Sequence, residues 1–313
     1  MNAKKSKKRV QLNQELGVGS ALAEILSHNL KALEQWEATA RSWEDIEGVH
    51  QMRVASRRMR AALSAFRGAV PKELSAPWSR ELGWIAGELG RARDLDVFID
   101  EGLGAVVDRL PLAGGDRLIA LAETHRAEAY EAVRAMLDSD RYARFKNGFA
   151  RWVETQAWNQ PDLPSKQRRT LDEGISVYSR GLLDRLERKV LEAGSEVDKN
   201  DAAQMHRLRI ECKKLRYAAE FFAPVLPGLD GFIAHLKGLQ DLLGVLNDVS
   251  VMGGLLDALL EGQSDPELLR FSGALVGWRT REAYQLLDGF DERWEAFVHA
   301  KHPWWHKGGK PAD

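Results

Sequence analysis

The sequence contains very little cysteine, no excess of either charge and no long apolar run. Cys212 is the only cysteine in 313 residues, which excludes an intramolecular disulfide and a cysteine-based zinc site and fits a reducing compartment. The 45 Lys and Arg residues balance 46 Asp and Glu residues, giving a net charge of −1. This balance argues against a protein coated in positive charge for nonspecific nucleic-acid binding.

The N-terminal segment is basic but lacks the pattern of a secretion signal. Five Lys and Arg residues lie between residues 4 and 9, and Asn13, Gln14 and Glu15 then interrupt the region where a signal peptide is apolar. No segment has the roughly 18 to 20 uninterrupted apolar residues of a membrane-spanning helix. We therefore expect a cytoplasmic protein that does not insert into membranes.

Almost every long segment has the spacing and composition of an α-helix. Apolar residues recur every three or four positions, good helix formers dominate, and alternating Val, Ile and Thr runs are absent. Helices are predicted at about 18–41, 43–67, 77–108, 113–138, 141–158, 168–193, 202–223, 229–261 and 266–298. A polar, proline-containing break at 159–164 divides the chain almost in half.

The two halves resemble each other. The segment His50–Arg60 aligns with His206–Arg216 at an offset of 156 residues, with the charge pattern retained. A repeat this long predicts two similar helical bundles rather than a solenoid. We predict an all-α protein with two pseudo-symmetric four-helix bundles at 18–160 and 165–300, which follow a basic flexible tail at 1–17. The C-terminal tail at 301–313 is expected to dock through its tryptophans.

Each aligned segment places its cations on one side of a helix and its apolar residues on the other. We call the two sets of basic residues the first stripe (His50, Arg53, Arg57 and Arg60, flanked by Arg58) and the second stripe (His206, Arg209, Lys213 and Arg216, flanked by Lys214). The predicted core faces are Met52, Ala55, Met59, Leu63 and Phe66 in the first half and Leu208, Leu215, Ala219 and Phe222 in the second.

A charge run is usually a solvated helix face, but two details favour anion binding here. Residues 50–67 contain five arginines and no acid, whereas exposed helices usually interleave acids and bases at four-residue spacing. The stripe also recurs in register in the second half, histidine included. Two facing stripes would form a basic cavity for a polyanion, and the planar arginine fork suits phosphate.

These residues carry a resemblance to a known family. The motif HxxRVxxRRxR at 50–60, LGRARDLDV at 89–97, HxxRIxxKKxRY at 206–217 and LQDLLGVLND at 239–248 resemble the CHAD family, the conserved histidine α-helical domain. The resemblance covers about 18–300 and implies two four-helix bundles, a basic central cavity and binding of inorganic polyphosphate. Carried over by position, it implies that both stripes and their flanking residues contact the ligand.

The second motif of each half supplies an acid and a glycine. Asp94 and Asp248 could orient a stripe arginine or could form an ordinary ion pair between helices, and the sequence favours neither. Gly90 and Gly244 are expected at close packing contacts. Six further residues are secondary candidates for the basic surface: Arg80, Arg93, Arg126, Tyr217, Lys237 and Arg281.

Other functions have less support in the sequence. Glu47 and His50 have the spacing of a di-iron motif, but Ala203 stands where the second copy needs a glutamate. We expect no metal site, no cofactor and no catalytic residue, because phosphoryl transfer needs carboxylates for metals beside the cations and the only acid in the stripe segments is Glu211. A helical nucleic-acid-binding module is the main alternative, although no aromatic residues interleave with the stripes. A polyphosphate or phosphate-ester enzyme is the third. The expected partners are polyphosphate itself and polyphosphate granules or polyphosphate-metabolising enzymes.

Overall fold

The computed structural model describes residues 10–305, which form twelve α-helices and no strand beyond one isolated bridge. The all-helical prediction is therefore confirmed. The helices are α1 (Val18–Gln35), α2 (Glu37–Ser42), α3 (Glu47–Ala65), α4 (Lys72–Val97), α5 (Gly115–Asp138), α6 (Asp140–Glu154), α7 (Ser165–Asp172), α8 (Ile175–Gly194), α9 (Ala202–Phe222), α10 (Leu229–Leu259), α11 (Pro266–Leu287) and α12 (Phe290–Val298). A π-helical turn at Phe98–Leu103 directly continues α4.

Three of the predicted helices are each two helices in the structure. Trp36 ends α1, so the segment predicted at 18–41 contains α1 and α2. Glu173 and Gly174 have extended backbone and separate α7 from α8. Asp288 and Gly289 separate α11 from α12. No proline marks any of the three breaks, so the strongest signal of a helix end in a sequence is missing there.

The two stripe helices begin in related ways. The Asp201 carboxylate accepts hydrogen bonds from the backbone N–H groups of Ala203 and Gln204 at 2.8 and 3.1 Å. Asp45, at the same offset in the first half, accepts from the Glu47 N–H at 2.8 Å. Such carboxylates satisfy backbone donors that a helix leaves unpaired at its start. These contacts fix where each stripe begins.

The core faces predicted for α3 and α9 are confirmed. All nine residues named for these faces are at most 4% exposed. Because the cations lie on the other sides of the same helices, this burial turns the middle of each stripe away from the core. Phe66 and Phe222, which align in the repeat, contact each other with ring centroids 6.0 Å apart.

The helices of the two halves pack in the same order. In the first half α1 packs on α3, α3 on α4 and α4 on α5; in the second, α8 packs on α9, α9 on α10 and α10 on α11. Contacts of α3 with α9 and of α5 with α11 join the halves. The buried apolar residues form one continuous cluster across both halves, rather than one separate core in each.

A reciprocal backbone contact also joins the halves. The Val18 N–H donates to the Glu173 carbonyl at 3.0 Å, and the Ile175 N–H donates to the Leu16 carbonyl at 2.9 Å. Gly17 and Gly174 form the isolated antiparallel bridge between these bonds. The contact is reciprocal because Ile175 and Glu173 lie 157 residues after Val18 and Leu16, an offset one residue longer than that of the stripes.

The packed chain begins earlier than the sequence predicted. Val10 and Leu12 are buried, and the Gln14 side-chain amide donates to the Val225 carbonyl at 3.2 Å. Residues 10–17 therefore belong to the folded body and not to a flexible tail. The basic residues at 4–9 and His306 lie outside the described residues.

The start of the C-terminal segment docks through its tryptophans, as predicted. Trp304 is 1% exposed. The indole N–H groups of Trp304 and Trp305 both donate to Asp184 Oδ1, at 2.7 and 2.8 Å. Trp304 and Trp305 are therefore packed against α8.

The helix α10 is unusually apolar for its degree of burial. By length and composition alone it could cross a membrane, a test that core helices of soluble proteins also pass. Only 28% of its most apolar 18-residue window is buried, so α10 is not an ordinary core helix. The absence of membrane insertion stays a prediction.

Candidate functional site

The middle of both stripes lines one cavity of about 1000 Å³ between the halves. Its walls come from α3, α4, the π-helical turn, α9, α10 and α11. The basic residues in the walls are His50, Arg53, Arg57, Arg93, Arg209, Lys213 and Arg279. The structure thus brings five of the ten predicted ligand residues together.

Arg53 is held against α4 by contacts with Ala86 and Asp94. One of its Nη atoms donates to the Ala86 carbonyl at 3.2 Å, and the other lies 3.6 Å from Asp94 Oδ1. A Cβ atom on Gly90 would lie 2.9 Å from the guanidinium, so Gly90 leaves room for the arginine. Asp94 therefore has both of the roles considered from the sequence. Its ion pair joins α3 to α4, and the same pair orients an arginine that lines the cavity.

The charge of Arg57 acts on three other cations of the cavity. Burial is the largest cause that lowers the pKa values of Arg53, Arg209 and Lys213, and the charge of Arg57 lowers all three further. The Nε of Arg57 is buried without a hydrogen-bond partner, and Arg57 forms no salt bridge to a carboxylate within residues 10–305. A half-buried cation with an unsatisfied buried donor is unfavourable unless another group compensates it.

The second stripe adds Arg209 and Lys213 to the same cavity. Burial is the largest cause that lowers the pKa of Arg209, and Asp248 opposes it. Burial, followed by the charges of Arg209 and Arg57, lowers the pKa of Lys213 to about 8. The cavity therefore holds its positive charges close enough to destabilise one another.

Gly244 differs from its counterpart in the first half. A Cβ atom on Gly244 would meet nothing within 4 Å, so the close contact expected at this position is absent. The expectation held for Gly90 and was wrong for Gly244. Of the two glycines, only Gly90 leaves room for a stripe arginine.

Four carboxylates share the walls with the cations: Asp94, Glu101, Asp248 and Glu282. Arg93 lies 3.7 Å from Glu101, and Arg279 lies 3.0 Å from Glu282. Asp94 pairs with Arg53 and acts on it more strongly than on Arg57. Asp248 forms no salt bridge among residues 10–305, and its charge acts more strongly on Arg209 than on Lys213. Each acid therefore has a closer basic neighbour than Arg57 or Lys213, and these two are the wall cations without an acid of their own.

Arg279 is a cavity residue that the sequence did not reveal. Besides Glu282 it contacts the Gly102 carbonyl at 2.8 Å and the Glu101 carbonyl, which ties α11 to the π-helical turn. In the sequence, Arg279 and Glu282 look like an ordinary surface pair at three-residue spacing. No motif distinguishes them, and Arg281 was named in their place.

Glu220 on α9 pairs with two predicted ligand residues, and its pair with Arg58 connects the two stripe helices. Glu220 accepts from Arg58 on α3 at 2.5 Å and from Arg216 on α9 at 2.6 Å. Arg58 also lies 5.2 Å from the centre of the Phe221 ring. These contacts lie outside the cavity lining, and the ligand role of both arginines stays a prediction.

The remaining candidates also lie outside the cavity lining. His206, Arg60 and Lys214 are exposed, and Lys214 pairs with Glu211 at 2.6 Å. Of the secondary candidates only Arg93 lines the cavity. Of the other five, Arg80, Lys237 and Arg281 are exposed, the Tyr217 ring lies under Arg216, and Arg126 lies in a different part of the protein.

Arg126 belongs to a separate buried network. It lies 3.9 Å from both Asp96 and Asp100 and 5.4 Å from the Trp43 ring centre. Tyr130 donates to Asp96 at 2.9 Å, and burial raises the pKa of Asp96 to about 6. These contacts join α4 to α5.

No group of three or more His, Cys, Asp or Glu side chains within residues 10–305 is arranged to hold a metal ion. The absence of metal and cofactor sites and of catalytic residues stays an expectation from the sequence.

Comparisons with known proteins agree with the fold. A family model described as the CHAD domain matches residues 24–257. The crystal structure of the CHAD domain from the plant Ricinus communis is similar with a TM-score of 0.80 and 26% identity, covering 96% of this chain and 98% of that chain. PptA from Streptomyces chartreusis has a similar fold, with a TM-score of 0.68 and 18% identity, covering 89% and 99% of the two chains. No curated protein sequence matches the chain significantly.

Proposed function

Because this chain belongs to the CHAD domain family, we propose that it binds inorganic polyphosphate, without catalysis, in the cavity between its halves. Proteins of this family bind polyphosphate in general. The observation that carries the proposal is the pair of cations without acids of their own, Arg57 and Lys213, in a cavity where every acid has a basic neighbour.

The electrostatics of the free cavity favour a polyanion. Burial and neighbouring positive charges lower the pKa values of Arg53, Arg209 and Lys213. A bound phosphate chain would replace this mutual repulsion with attraction and charge-assisted hydrogen bonds. The wall has six Lys and Arg residues and four acids. The excess positive charge of the cavity therefore corresponds to the two cations without acids of their own, Arg57 and Lys213.

The proposal includes an internal duplication with a pseudo-twofold axis between the halves. Three observations support it: the repeated packing order of the helices, the reciprocal bridge of Gly17 with Gly174, and the contact between Phe66 and Phe222. Arg57 and Lys213 are themselves equivalent in the repeat. A duplication would explain why the two unmatched cations come from corresponding positions.

Nucleic acid is the competing ligand, since its backbone would use the same cations. Single-strand binders stack bases on accessible aromatic rings, whereas Phe98 is the only Phe, Tyr or Trp among residues 10–305 that lines this cavity, and it is 3% exposed. This favours a ligand made of phosphate alone. We further propose that the protein acts in the cytoplasm, with polyphosphate granules or polyphosphate-metabolising enzymes as its partners.

The test is a titration of the wild type and of Arg57→Ala/Lys213→Ala with long-chain polyphosphate, single-stranded RNA and duplex DNA. The double variant should bind polyphosphate at least about 100-fold more weakly, since two charge-assisted contacts are lost, and wild-type affinity should fall steeply with salt. Arg188→Ala/Lys189→Ala removes the same charges from an exposed part of α8 and should bind like the wild type.

Two results would contradict the proposal. Equal or tighter binding of RNA or DNA by the wild type would make nucleic acid the ligand. Sustained release of orthophosphate from polyphosphate with added magnesium or manganese would show that the protein is an enzyme.

A further inference from the structure

The cavity has a second wall that a phosphate chain does not use. Eight apolar side chains line it: Val97, Phe98, Val245, Val249, Val251, Met252, Leu255 and Leu286. Five of them come from α10, the helix whose most apolar window is only 28% buried. Inorganic polyphosphate has no apolar surface, so this wall contributes no hydrophobic stabilisation to its binding.

This apolar wall is open to solvent. Val251 is 42% exposed and Leu286 is 46% exposed. Together with the half-buried Val245, Val249 and Leu255 they form a group of accessible apolar side chains in one concave site. Clustered apolar exposure of this kind commonly marks a binding site, whereas single exposed residues do not.

The apolar wall and the cations meet at Arg53. A side recess of about 410 Å³ is lined by Arg53 and Asp94 together with Val251 and Leu255. Gly87 and Gly90 form its floor on α4 and leave it open. A ligand anchored by a phosphate at the arginines would therefore have apolar surface directly beside it.

We propose that the cavity also binds amphiphilic phosphate esters, with the phosphate or diphosphate group on the stripe cations and an aliphatic chain along α10. This inference rests on the proposed function, because the same cations hold the phosphate. An aliphatic chain fits better than a nucleobase because the accessible wall is aliphatic and its one aromatic residue, Phe98, is buried. The cavity volume is also in the range of ordinary small-molecule sites.

The experiment compares inorganic diphosphate with a ten-carbon alkyl diphosphate by calorimetry, below the micelle concentration of the alkyl compound. Even partial burial of the chain should make the alkyl diphosphate bind at least about 10-fold more tightly. Long-chain polyphosphate should displace it, because both ligands need the same cations. Decanol, which has the chain without the charge, should not compete with polyphosphate.

The variant Val251→Ser/Leu286→Ser separates this inference from a general loss of structure. Both side chains are partly exposed, so the substitutions leave the core intact. The variant should bind the alkyl diphosphate no more tightly than inorganic diphosphate and should bind polyphosphate like the wild type. The matched control is Val177→Ser/Leu269→Ser, which changes residues 62% and 42% exposed outside the cavity and should retain the preference for the alkyl compound.

Three outcomes would overturn the inference. Equal affinities for the two diphosphates, with polyphosphate still bound, would refute it and leave the proposed function standing. Failure of all phosphate ligands to bind would refute both. If Val251→Ser/Leu286→Ser converted a dimer to a monomer in size-exclusion chromatography, the apolar wall would be an interface between two copies of the chain.

Discussion

The helices α3 and α9 carry the same stripe, but only the middle of the stripe has the same surroundings in both. Arg57 and Lys213 align and both line the cavity without acids of their own, while Arg53 and Arg209 align and each faces an aspartate. The ends differ. His50 lines the cavity, whereas its counterpart His206 is exposed and lies outside the lining.

Aligned residues of the same type at the ends of the two stripes therefore do not have the same contacts. Arg216 is tied to Glu220, whereas its counterpart Arg60 is exposed. Glu220 itself aligns with Ser64, so the first half has no equivalent acid. One unrepeated carboxylate, Glu220, therefore pairs with Arg58 and Arg216 outside the cavity lining, whereas the cations at the middle of each stripe line the cavity.

The largest expected effect comes from the symmetric middle of the stripes. Arg57→Ala and Lys213→Ala should each weaken polyphosphate binding by about 10- to 100-fold, because each removes a charge-assisted contact. Arg60→Ala, in the same helix as Arg57 but exposed, should leave binding unchanged in the same calorimetric titration. A loss in Arg60→Ala as large as that in Arg57→Ala would show that the whole stripe binds the ligand.

The second prediction uses the difference in residue type between Arg57 and Lys213. The pKa of Lys213 is lowered to about 8 in the free protein, so Lys213 loses its proton as the pH rises through this value. Wild-type affinity for polyphosphate should therefore fall by up to about 10-fold between roughly pH 7 and 9. Lys213→Arg stays protonated over this range and should show a flat pH profile. A decline of the same size in Lys213→Arg would assign the titration to another group.

The two glycines give a matched comparison of smaller effect. Gly90→Ala places a methyl group 2.9 Å from the Arg53 guanidinium, whereas Gly244→Ala meets nothing within 4 Å. The end of an arginine side chain moves easily. The fold should therefore be retained, while the Arg53 guanidinium moves away from Ala86 and Asp94. We expect a roughly 3- to 10-fold loss of polyphosphate affinity in Gly90→Ala and none in Gly244→Ala. Equal affinities in the two variants would mean that the position of Arg53 is unimportant.

The smallest expected effect concerns the two histidines. His50→Ala should weaken polyphosphate binding by about 2- to 5-fold, through loss of one hydrogen-bonding group in the cavity wall. His206→Ala should bind like the wild type, because its side chain is exposed outside the lining. If the two variants lose affinity equally, the ligand extends beyond the cavity along α9.

The sequence was informative where local patterns decide the structure. Helical periodicity identified the core faces of α3 and α9, because a residue such as Met52 or Leu208 is buried by its position on its own helix. The repeat likewise indicated Arg57 and Lys213 as corresponding residues. Both conclusions depend on spacing within one segment or between aligned segments.

The features that the sequence did not reveal depend on how helices cross. Glu220 connects the two stripe helices only because α3 passes close enough to α9 for Arg58 to reach it. Arg279 lines the cavity because α11 returns beside the π-helical turn. The apolar side of α10 looks like a core helix in the sequence, and only the structure shows that much of it is accessible. Such placements follow from tertiary contacts that no local pattern encodes.

The reciprocal bridge between Gly17 and Gly174 bears on whether this chain needs to be continuous. The loop between the halves is exposed at Gln160 and Pro161, whereas the bridge and the contact of Phe66 with Phe222 hold the halves together elsewhere. A chain opened between Gln160 and Pro161 would yield two fragments, each with part of the shared core exposed. The fragments should therefore complement each other when they are co-expressed. Polyphosphate binding would then show that they had reassembled the cavity.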